Sequence, residues 1–230
     1  MSCLFANHVL CFTRVCVCVG EAYDKTARLL GLPVGGGGGP FVERLAQEGN
    51  PKAVPLPVPL QKRKHDCDFS YAGLKTAVRA AAEKLVDQRG VASVTDLPHP
   101  DKANLAASFQ HVAIRHIEER LVRAMQWTTT SSAKQDDANN KDKEQIRTLA
   151  VVGGVAANQE LRQRLQNICH DAGWDMVVPP PRLCTDQGTM SAWAAIERLM
   201  VKSSDVADTQ QVYARYPFSL VTTTNEETVG

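Results

Sequence analysis

The amino-acid sequence predicts an α/β fold with parallel strands. An apolar run at residues 147–152 has the composition of a buried strand, and a glycine turn and a helical segment, residues 159–173, follow it at once. A second apolar run at residues 175–178 comes directly after that helix. Because a helix that joins two neighbouring strands returns the chain to the same end of the sheet, we expect the strands to be parallel, with their carboxyl ends at one edge.

The N-terminal part predicts a short strand followed by a helix. Residues 1–19 are apolar but too short, and interrupted by an arginine, to span a membrane. Alternating valines within residues 15–19 allow a short strand that leads into the next segment. Residues 20–32, GEAYDKTARLLGL, carry apolar side chains on one helical face and end with a glycine suited to a helix C-cap. Asp24 then lies in the first turn of this helix.

A run of five glycines, Gly35 to Gly39, separates this helix from the next predicted helix, residues 41–50. Such a run lets the backbone approach a ligand closely and leaves N–H groups free near a helix start. It is equally typical of a flexible linker. No Gly-Lys-Ser or Gly-Lys-Thr follows, so the spacing is not that of a phosphate-binding loop. The glycines alone leave both interpretations open.

Two longer helices are predicted in the middle of the chain. Ser70 is placed to cap the first, which starts within the segment DFSYAGLKTAV. The second covers about residues 102–125 and contains His111 and His116. Five residues correspond to about 140° around a helix, so these histidines cannot share a metal as an i, i+4 pair would, and we interpret them as surface or interface residues. The polar residues 128–145 predict a disordered loop.

Two polar side chains follow the predicted strands. Asn158 ends the glycine turn after the first strand, and Asp186 lies beyond the three prolines at 179–181 that stop the second. An aspartate at a helix start can cap free N–H groups or direct an oxygen at a cation or substrate, and its position alone favours capping. Cys184 is interpreted as a small buried residue rather than a nucleophile, since no histidine is close in sequence.

The composition excludes several classes of protein. The chain has 230 residues, of which 43% are hydrophobic, so it can bury a substantial core. Its formal net charge of +1 gives no overall attraction to nucleic acid or an anionic membrane, and the one compact basic run, residues 61–65, is interpreted as a solvated loop. Seven cysteines without a C-x-x-C pair predict neither a disulfide framework nor a zinc ribbon, and they fit a reducing compartment.

Five sequence blocks in a fixed order carry a specific resemblance. They are GEAYDKTARLLGLP, GGPFVERLA, DFSYAGLKTAV, VVGGVAANQELRQRL and CTDQGTMSAW. Together they resemble the tRNA N6-adenosine threonylcarbamoyltransferase family from about Gly20 to Leu199. The wording of DFSYAGLKTAV and CTDQG is similar to the bacterial and mitochondrial branch, which implies a mitochondrial location, or otherwise a cytoplasmic one.

The resemblance implies an actin-like ATPase and sugar-kinase fold of two lobes around a cleft. We expect residues 20–199 to form mostly the second lobe, with a helical insertion and the loop at 128–145. Residues 1–19 match nothing known to us in the family, and residues 200–230 form a C-terminal segment and tail. The expected organisation is therefore one lobe flanked by two unmatched or terminal segments.

The implied reaction transfers a threonylcarbamoyl group from threonylcarbamoyl-AMP to N6 of the adenosine beside the anticodon in tRNAs that read ANN codons. By resemblance Asp24, Gly39, Glu43 and Asn158 contact the adenylate. Asp186 would be a ligand of one divalent metal ion per subunit, of the iron or zinc type. The implied partners are tRNA, threonylcarbamoyl-AMP and either a second copy of this chain or accessory tRNA-modification proteins. No membrane partner is implied.

The departures from the family pattern concern the metal site. The family carries an H-x-x-x-H pair and a glycine-rich S-G-G-H-T loop ahead of the first block, whereas no two of the six histidines here are four residues apart. One carboxylate holds a transition metal poorly. We therefore expect a fragment or short isoform that lacks the N-terminal lobe and has little transferase activity alone. The alternative is a non-catalytic binding or regulatory module that pairs with a full-length synthase.

Overall fold

The computed structural model describes the backbone of residues 4–6, 9–11, 15–63, 66–133 and 147–202, and the side chains of 19–63, 66–128 and 147–202. The chain forms two compact units, residues 1–186 and 187–230. The described helices and strands are β1 Leu4–Ala6, β2 Val9–Cys11, α1 Val15–Leu29, α2 Gly39–Ala46, α3 Ala72–Arg89, α4 His99–Ala133, β3 Thr148–Ala150, α5 Gln159–Ala172, β4 Asp175–Val177 and, in the second unit, α6 Gly188–Met200.

The described part of the chain is an α/β structure in which helices predominate over two small sheets. β3 and β4 pair in parallel, with Leu149 opposite Met176, and α5 connects them. This confirms the parallel pair that the strand, glycine turn and helix predicted. The sheet formed by β1 and β2 is an antiparallel hairpin. Both strand pairs are short, so helix packing supplies most of the core.

The core of the first unit consists of two clusters along α4. The first joins α1, α2 and α3 to the N-terminal half of α4 and includes Tyr23, Val42, Leu74 and Phe109. The second joins α4 to α5, and partly buried residues of β3 and β4 pack against it. α4 is thus the common scaffold for both strand exits and the N-terminal helices. Neither it nor any other described helix is both long and apolar enough for a membrane span.

The predicted short strand at residues 15–19 is wrong, because α1 already begins at Val15. Val19 is buried together with Ala22, Tyr23 and Leu30. This three- and four-residue spacing continues the apolar stripe of the helix upstream of Gly20. Burial of that stripe therefore overrides the local strand preference of the valines.

Ser70 does not cap α3, which is a second correction. The N-cap residue is Tyr71, and no side chain caps the helix. The Tyr71 side chain is buried, and its hydroxyl donates to the carbonyl oxygen of Ala113 on α4 at 3.2 Å. The Ser70 N–H instead points at Nε2 of His116, 3.5 Å away. Tertiary contacts to α4 thus fix the start of α3.

The predicted disordered loop at 128–145 begins too early. α4 continues through Ala133, so residues 128–133 are helical. Thr128 is buried, and its hydroxyl donates to the carbonyl oxygen of Met125. The hydroxyl of a threonine can thus form its hydrogen bond with a carbonyl oxygen of the preceding helical turn. Polar composition alone therefore does not show that the helix has ended. Residues 134–146 lie outside the described part of the chain.

Candidate functional site

The glycine run forms an ordered turn that is attached to α1. Oδ1 of Asp24 accepts a hydrogen bond from the Gly38 N–H at 2.6 Å. Gly36 and Gly37 have φ values of +78° and +104°, which side chains rarely adopt. A Cβ on Gly38 would lie 2.4 Å from the Cβ of Ala27. These contacts favour a positioned backbone over a flexible linker.

Gly39 differs from Gly38, although the two are adjacent. It is the first residue of α2, and a Cβ built on it meets no atom within 4 Å. The N–H groups of a first helical turn have no acceptor within the helix. Gly39 therefore presents bare backbone to open space, where a ligand atom could approach.

Glu43 connects α2 to the start of α5. Its Oε1 accepts from the Gln159 N–H at 2.6 Å. Burial raises the pKa of this carboxyl, and hydrogen bonds from the Gln159 and Glu160 N–H groups oppose that rise. The carboxylate thus sits at a helix N-terminus, where a negative charge is favoured. Its second oxygen can accept from a hydroxyl group of a ligand.

Asn158 is the N-cap of α5 and is 7% exposed. Its Oδ1 accepts from the Leu161 N–H at 2.8 Å, and its Nδ2 donates to Oε1 of Gln110 at 3.0 Å. Capping is therefore a demonstrated role of this side chain. One amide hydrogen and one oxygen lone pair remain for a ligand, so the predicted substrate contact is compatible with the cap.

Gln110 is a site residue that the sequence reasoning missed. It lies buried on α4, and its Oε1 accepts from both Asn158 and the Tyr23 hydroxyl, the latter at 3.4 Å. Burial raises the pKa of Tyr23, so the phenol stays protonated and can donate. The sequence contains one signal for this role, because the polar side chain of Gln110 directly follows Phe109 within the apolar stripe of α4.

The hydrogen bonds above close a ring through four helices. Asp24 holds the glycine turn that starts α2, Glu43 of α2 holds the start of α5, and the cap of α5 returns through Gln110 to Tyr23, the neighbour of Asp24. The structure therefore connects three of the four residues predicted to contact the adenylate, Asp24, Glu43 and Asn158, in one network, and Gly39 directly follows Gly38 of that network. This network offers acceptors, one amide and bare backbone, which suits a polar ligand with hydroxyl groups.

Arg162 links the loops that follow the two parallel strands. Its Nε donates to the carbonyl oxygen of Ala156, and its Nη2 donates to that of Pro179 at 2.8 Å. The same nitrogen lies 3.2 Å from Sγ of Cys184. Cys184 is 2% exposed, in agreement with the prediction of a small buried residue. The position of the chain just before Asp186 is thus set by α5.

Asp186 itself is exposed. The N-cap of α6 is Gln187, and no side chain caps that helix, so capping is not the role of Asp186. Over the described ranges, no three His, Cys, Asp or Glu residues gather in a way that could hold a metal ion. The described residues therefore do not fit a metal site, and the role of Asp186 as a metal ligand stays a prediction.

The two histidines of α4 have different surroundings. His111 lies 3.2 Å from Nη1 of Arg164, which also pairs with Glu118. His116, which we expected to be a surface or interface residue, is instead fully buried and packs edge-on against Phe69 and Tyr71. We expected a polar ring to lie outside the core. His116 instead occupies a core position in the otherwise apolar stripe of α4.

Comparison with known proteins shows the family. The family model for tRNA N6-adenosine threonylcarbamoyltransferase matches residues 6–193, and so begins within the segment 1–19 that we expected to lie outside the resemblance. A relative named probable tRNA N6-adenosine threonylcarbamoyltransferase, mitochondrial, from Arabidopsis thaliana is 44% identical over 195 residues, which are 84% of this chain and 38% of that protein.

Two bacterial relatives named tRNA N6-adenosine threonylcarbamoyltransferase give the same result. The protein from Rhizobium leguminosarum is 41% identical over 86% of this chain and 49% of its own length. That from Sinorhizobium medicae is 44% identical over 79% of this chain and 44% of its own length. The chain thus spans less than half the length of these curated relatives. By the extent of the family match, it belongs to the tRNA N6-adenosine threonylcarbamoyltransferase family.

Proposed function

We propose that this chain takes part in tRNA modification by supplying the adenylate-binding part of a threonylcarbamoyl transferase. The reaction would move the threonylcarbamoyl group from threonylcarbamoyl-AMP to N6 of the adenosine beside the anticodon. Support comes from family membership and from relatives whose names state this activity. The proposal concerns the adenylate side of the site, because the described residues include the four that the resemblance assigns to the adenylate.

One observation carries the proposal. Asp24 lies on α1, Gly39 and Glu43 lie on α2, and Asn158 caps α5 more than a hundred residues further on, yet the ring of hydrogen bonds connects these elements. A structural role alone accounts for the cap and for the Asp24 contact. Gly39 adds bare backbone that faces open space at the start of α2.

The chemistry of these groups suits an adenylate. Oδ2 of Asp24 and the second oxygen of Glu43 can accept from ribose hydroxyls, and charge-assisted hydrogen bonds of this kind are the stronger ones. Bare backbone at the start of α2 can donate to a phosphate oxygen or lie against the base. Holding the adenylate would fix the carbamoyl carbon for attack by the amine and would hold AMP as the leaving group.

The remaining partners are proposals by resemblance. We propose that Asp186 contributes to a divalent metal site that other residues complete, and that the working enzyme is a homodimer or a complex with accessory tRNA-modification proteins. The mitochondrial name of the Arabidopsis thaliana relative supports a mitochondrial location. None of these proposals enters the adenylate chemistry above.

Isosteric variants test the proposal by calorimetric titration with AMP. Asn at 24 and Gln at 43 keep an oxygen that can accept from Gly38 and Gln159, so Asp24→Asn and Glu43→Gln should preserve the fold. Each should weaken AMP binding roughly ten-fold or more, because a hydrogen bond to a charged group is lost. Asp87→Asn, at an exposed position of α3, serves as the matched control.

Unchanged AMP affinity in both site variants would contradict the proposed function. Absence of AMP binding by the unaltered chain would instead favour the non-catalytic module that pairs with a full-length synthase.

A further inference from the structure

A basic groove lies between α1 and α3, on a part of α1 that the adenylate site does not use. It has a volume of about 570 Å³ and is lined by four cations, Lys25, Arg28, Lys75 and Arg79. Val78, which is 1% exposed, lies at its apolar floor. The volume falls within the roughly 300–1,000 Å³ of typical ligand sites and so exceeds what one small ion needs.

The four cations are only partly neutralised. Glu21 pairs with Lys25 at 2.7 Å and with Lys75 at 3.2 Å. Hydrogen bonds from Lys25 and then Lys75 lower the pKa of Glu21, so this carboxylate stays charged. Within the described ranges, no ion pair involves Arg28 or Arg79. The lining of the groove thus contains four cations and no carboxylate, and one neighbouring carboxylate, Glu21, pairs with two of the cations.

This cluster of cations is local. The whole chain has a formal net charge of +1. In the described part of the basic run at residues 61–65, which is the obvious cationic segment in the sequence, the arginine already has acidic neighbours. Arg63 lies 3.2 Å from Asp68 and 3.8 Å from Asp66, and residues 64–65 lie outside the described part. The cations of the groove are thus the better candidate for an anionic partner.

The groove is next to the proposed adenylate site. Lys25 follows Asp24 on α1. Consecutive residues are about 100° apart around a helix axis, and the helix with its side chains is roughly 10–12 Å across. A long ligand could therefore contact both faces of α1, whereas a mononucleotide in the adenylate site would reach only one.

We propose that the groove binds the phosphate backbone of the RNA substrate, next to the site where its adenosine reacts. The inference rests on the proposed function for the identity of the RNA. Two rows of flexible cations on facing helices suit a chain of phosphates. None of the lining residues is aromatic, so the groove lacks the anchors typical of a protein interface.

The test measures binding of an unmodified tRNA transcript with an ANN-decoding anticodon, by fluorescence anisotropy between 50 and 200 mM salt. The double variant Arg28→Gln/Arg79→Gln removes the two cations without an ion pair. We expect affinity to fall roughly five- to thirty-fold, as two exposed charge contacts allow. The slope of log affinity against log salt should decrease in magnitude by about 1.4 to 1.8.

A matched control removes the same charge elsewhere. Lys52→Gln/Lys84→Gln alters two exposed lysines outside the groove lining and should bind the transcript as the unaltered chain does. Equal losses in both double variants, no loss in the groove variant, or no RNA binding at 50 mM salt would each overturn the inference. Binding of a polyglutamate peptide that alone depends on Arg28 and Arg79 would also overturn it and point to an acidic protein partner.

AMP titration of the groove variant separates this inference from the proposed function. Retained AMP binding with reduced RNA binding supports both. Retained AMP binding with unchanged RNA binding overturns only the groove.

Discussion

Gly38 and Gly39 show that neighbouring residues of one type can have different surroundings. Gly38 leaves room for Ala27, and its N–H is held by Asp24. Gly39 has no neighbour that would exclude a side chain. The fold therefore explains Gly38, whereas the proposed ligand would explain Gly39. A substitution at Gly39 tests that explanation.

Gly39→Ala is predicted to fold normally and to lose AMP affinity at least ten-fold. A Cβ there meets open space in the free protein but would occupy the surface that a ligand approaches, and alanine is a better helix former than glycine. Thermal unfolding and calorimetric titration check the two halves of the prediction.

Gly35→Ala is the control within the same turn, since a Cβ there also meets nothing within 4 Å. It should retain AMP binding. If Gly39→Ala bound AMP as tightly as Gly35→Ala, the bare backbone at the start of α2 would have no ligand-binding role.

At the scale of elements, α4 positions the site because the other helices pack along it. The turn after α2 lies very close to the backbone of α4, since a Cβ on Gly49 would be 2.1 Å from the carbonyl oxygen of Ala103. Asn104 on α4 also accepts from the Asn50 N–H at 2.8 Å. This junction fixes α2, and with α2 it fixes Glu43.

Gly49→Ala is predicted to destabilise the protein by about 1–3 kcal/mol, because the clash is with helix backbone that cannot turn away. For a chain of this size the melting temperature should fall by several degrees. Gly73→Ala is the control, since it lies in α3 with open space around it and should be neutral or stabilising by up to about 1 kcal/mol. Equal melting temperatures for the two variants would contradict the tight junction.

The sequence predicts those elements whose signals are local. The strand, glycine turn and helix around Asn158 predicted the parallel pair of β3 and β4, whereas the adenylate contacts implied by the family blocks stay a prediction. The start of α1, the cap of α3 and the role of Gln110 depend on contacts with α4 from distant parts of the chain. No local pattern contains such contacts, so these features needed the structure.

At the scale of the whole molecule, stability depends on a neutral histidine in the core. Burial, and then the charges of Arg120 and Arg123, lower the pKa of His116 to about 4, and Asp66 opposes this only in part. Its Nδ1 has no hydrogen-bond partner among the described residues. Protonation would therefore place an unpaired charge beside two arginines.

Stability is predicted to fall as the pH decreases from about 6.5 toward about 4. In this window the unfolded chain, with an ordinary histidine pKa of about 6.5, binds a proton that the folded chain does not. The contribution of His116 should make the free energy of unfolding about 2 kcal/mol lower at pH 5 than at pH 7. Urea unfolding at the two pH values measures this difference.

His116→Phe should reduce the pH-dependent loss by about that amount, since nothing titrates at the position. His99→Gln, at an exposed histidine that lies 2.7 Å from Glu48, should leave the loss nearly unchanged. The same pH dependence in His116→Phe as in the unaltered chain would show that other groups cause it.

The central claim is that the ring through Asp24, the glycine turn, Glu43 and Asn158 binds an adenylate. An NMR titration of the isotope-labelled chain with AMP tests it most directly, because the glycine amides and the Asn158 side-chain amide report separately. We predict that the largest shift changes occur at Gly38, Gly39 and the Asn158 amide, with little change at Gly73 or Gly90. Saturable changes elsewhere that leave Gly38, Gly39 and Asn158 unaffected, or no changes at all, would contradict the claim.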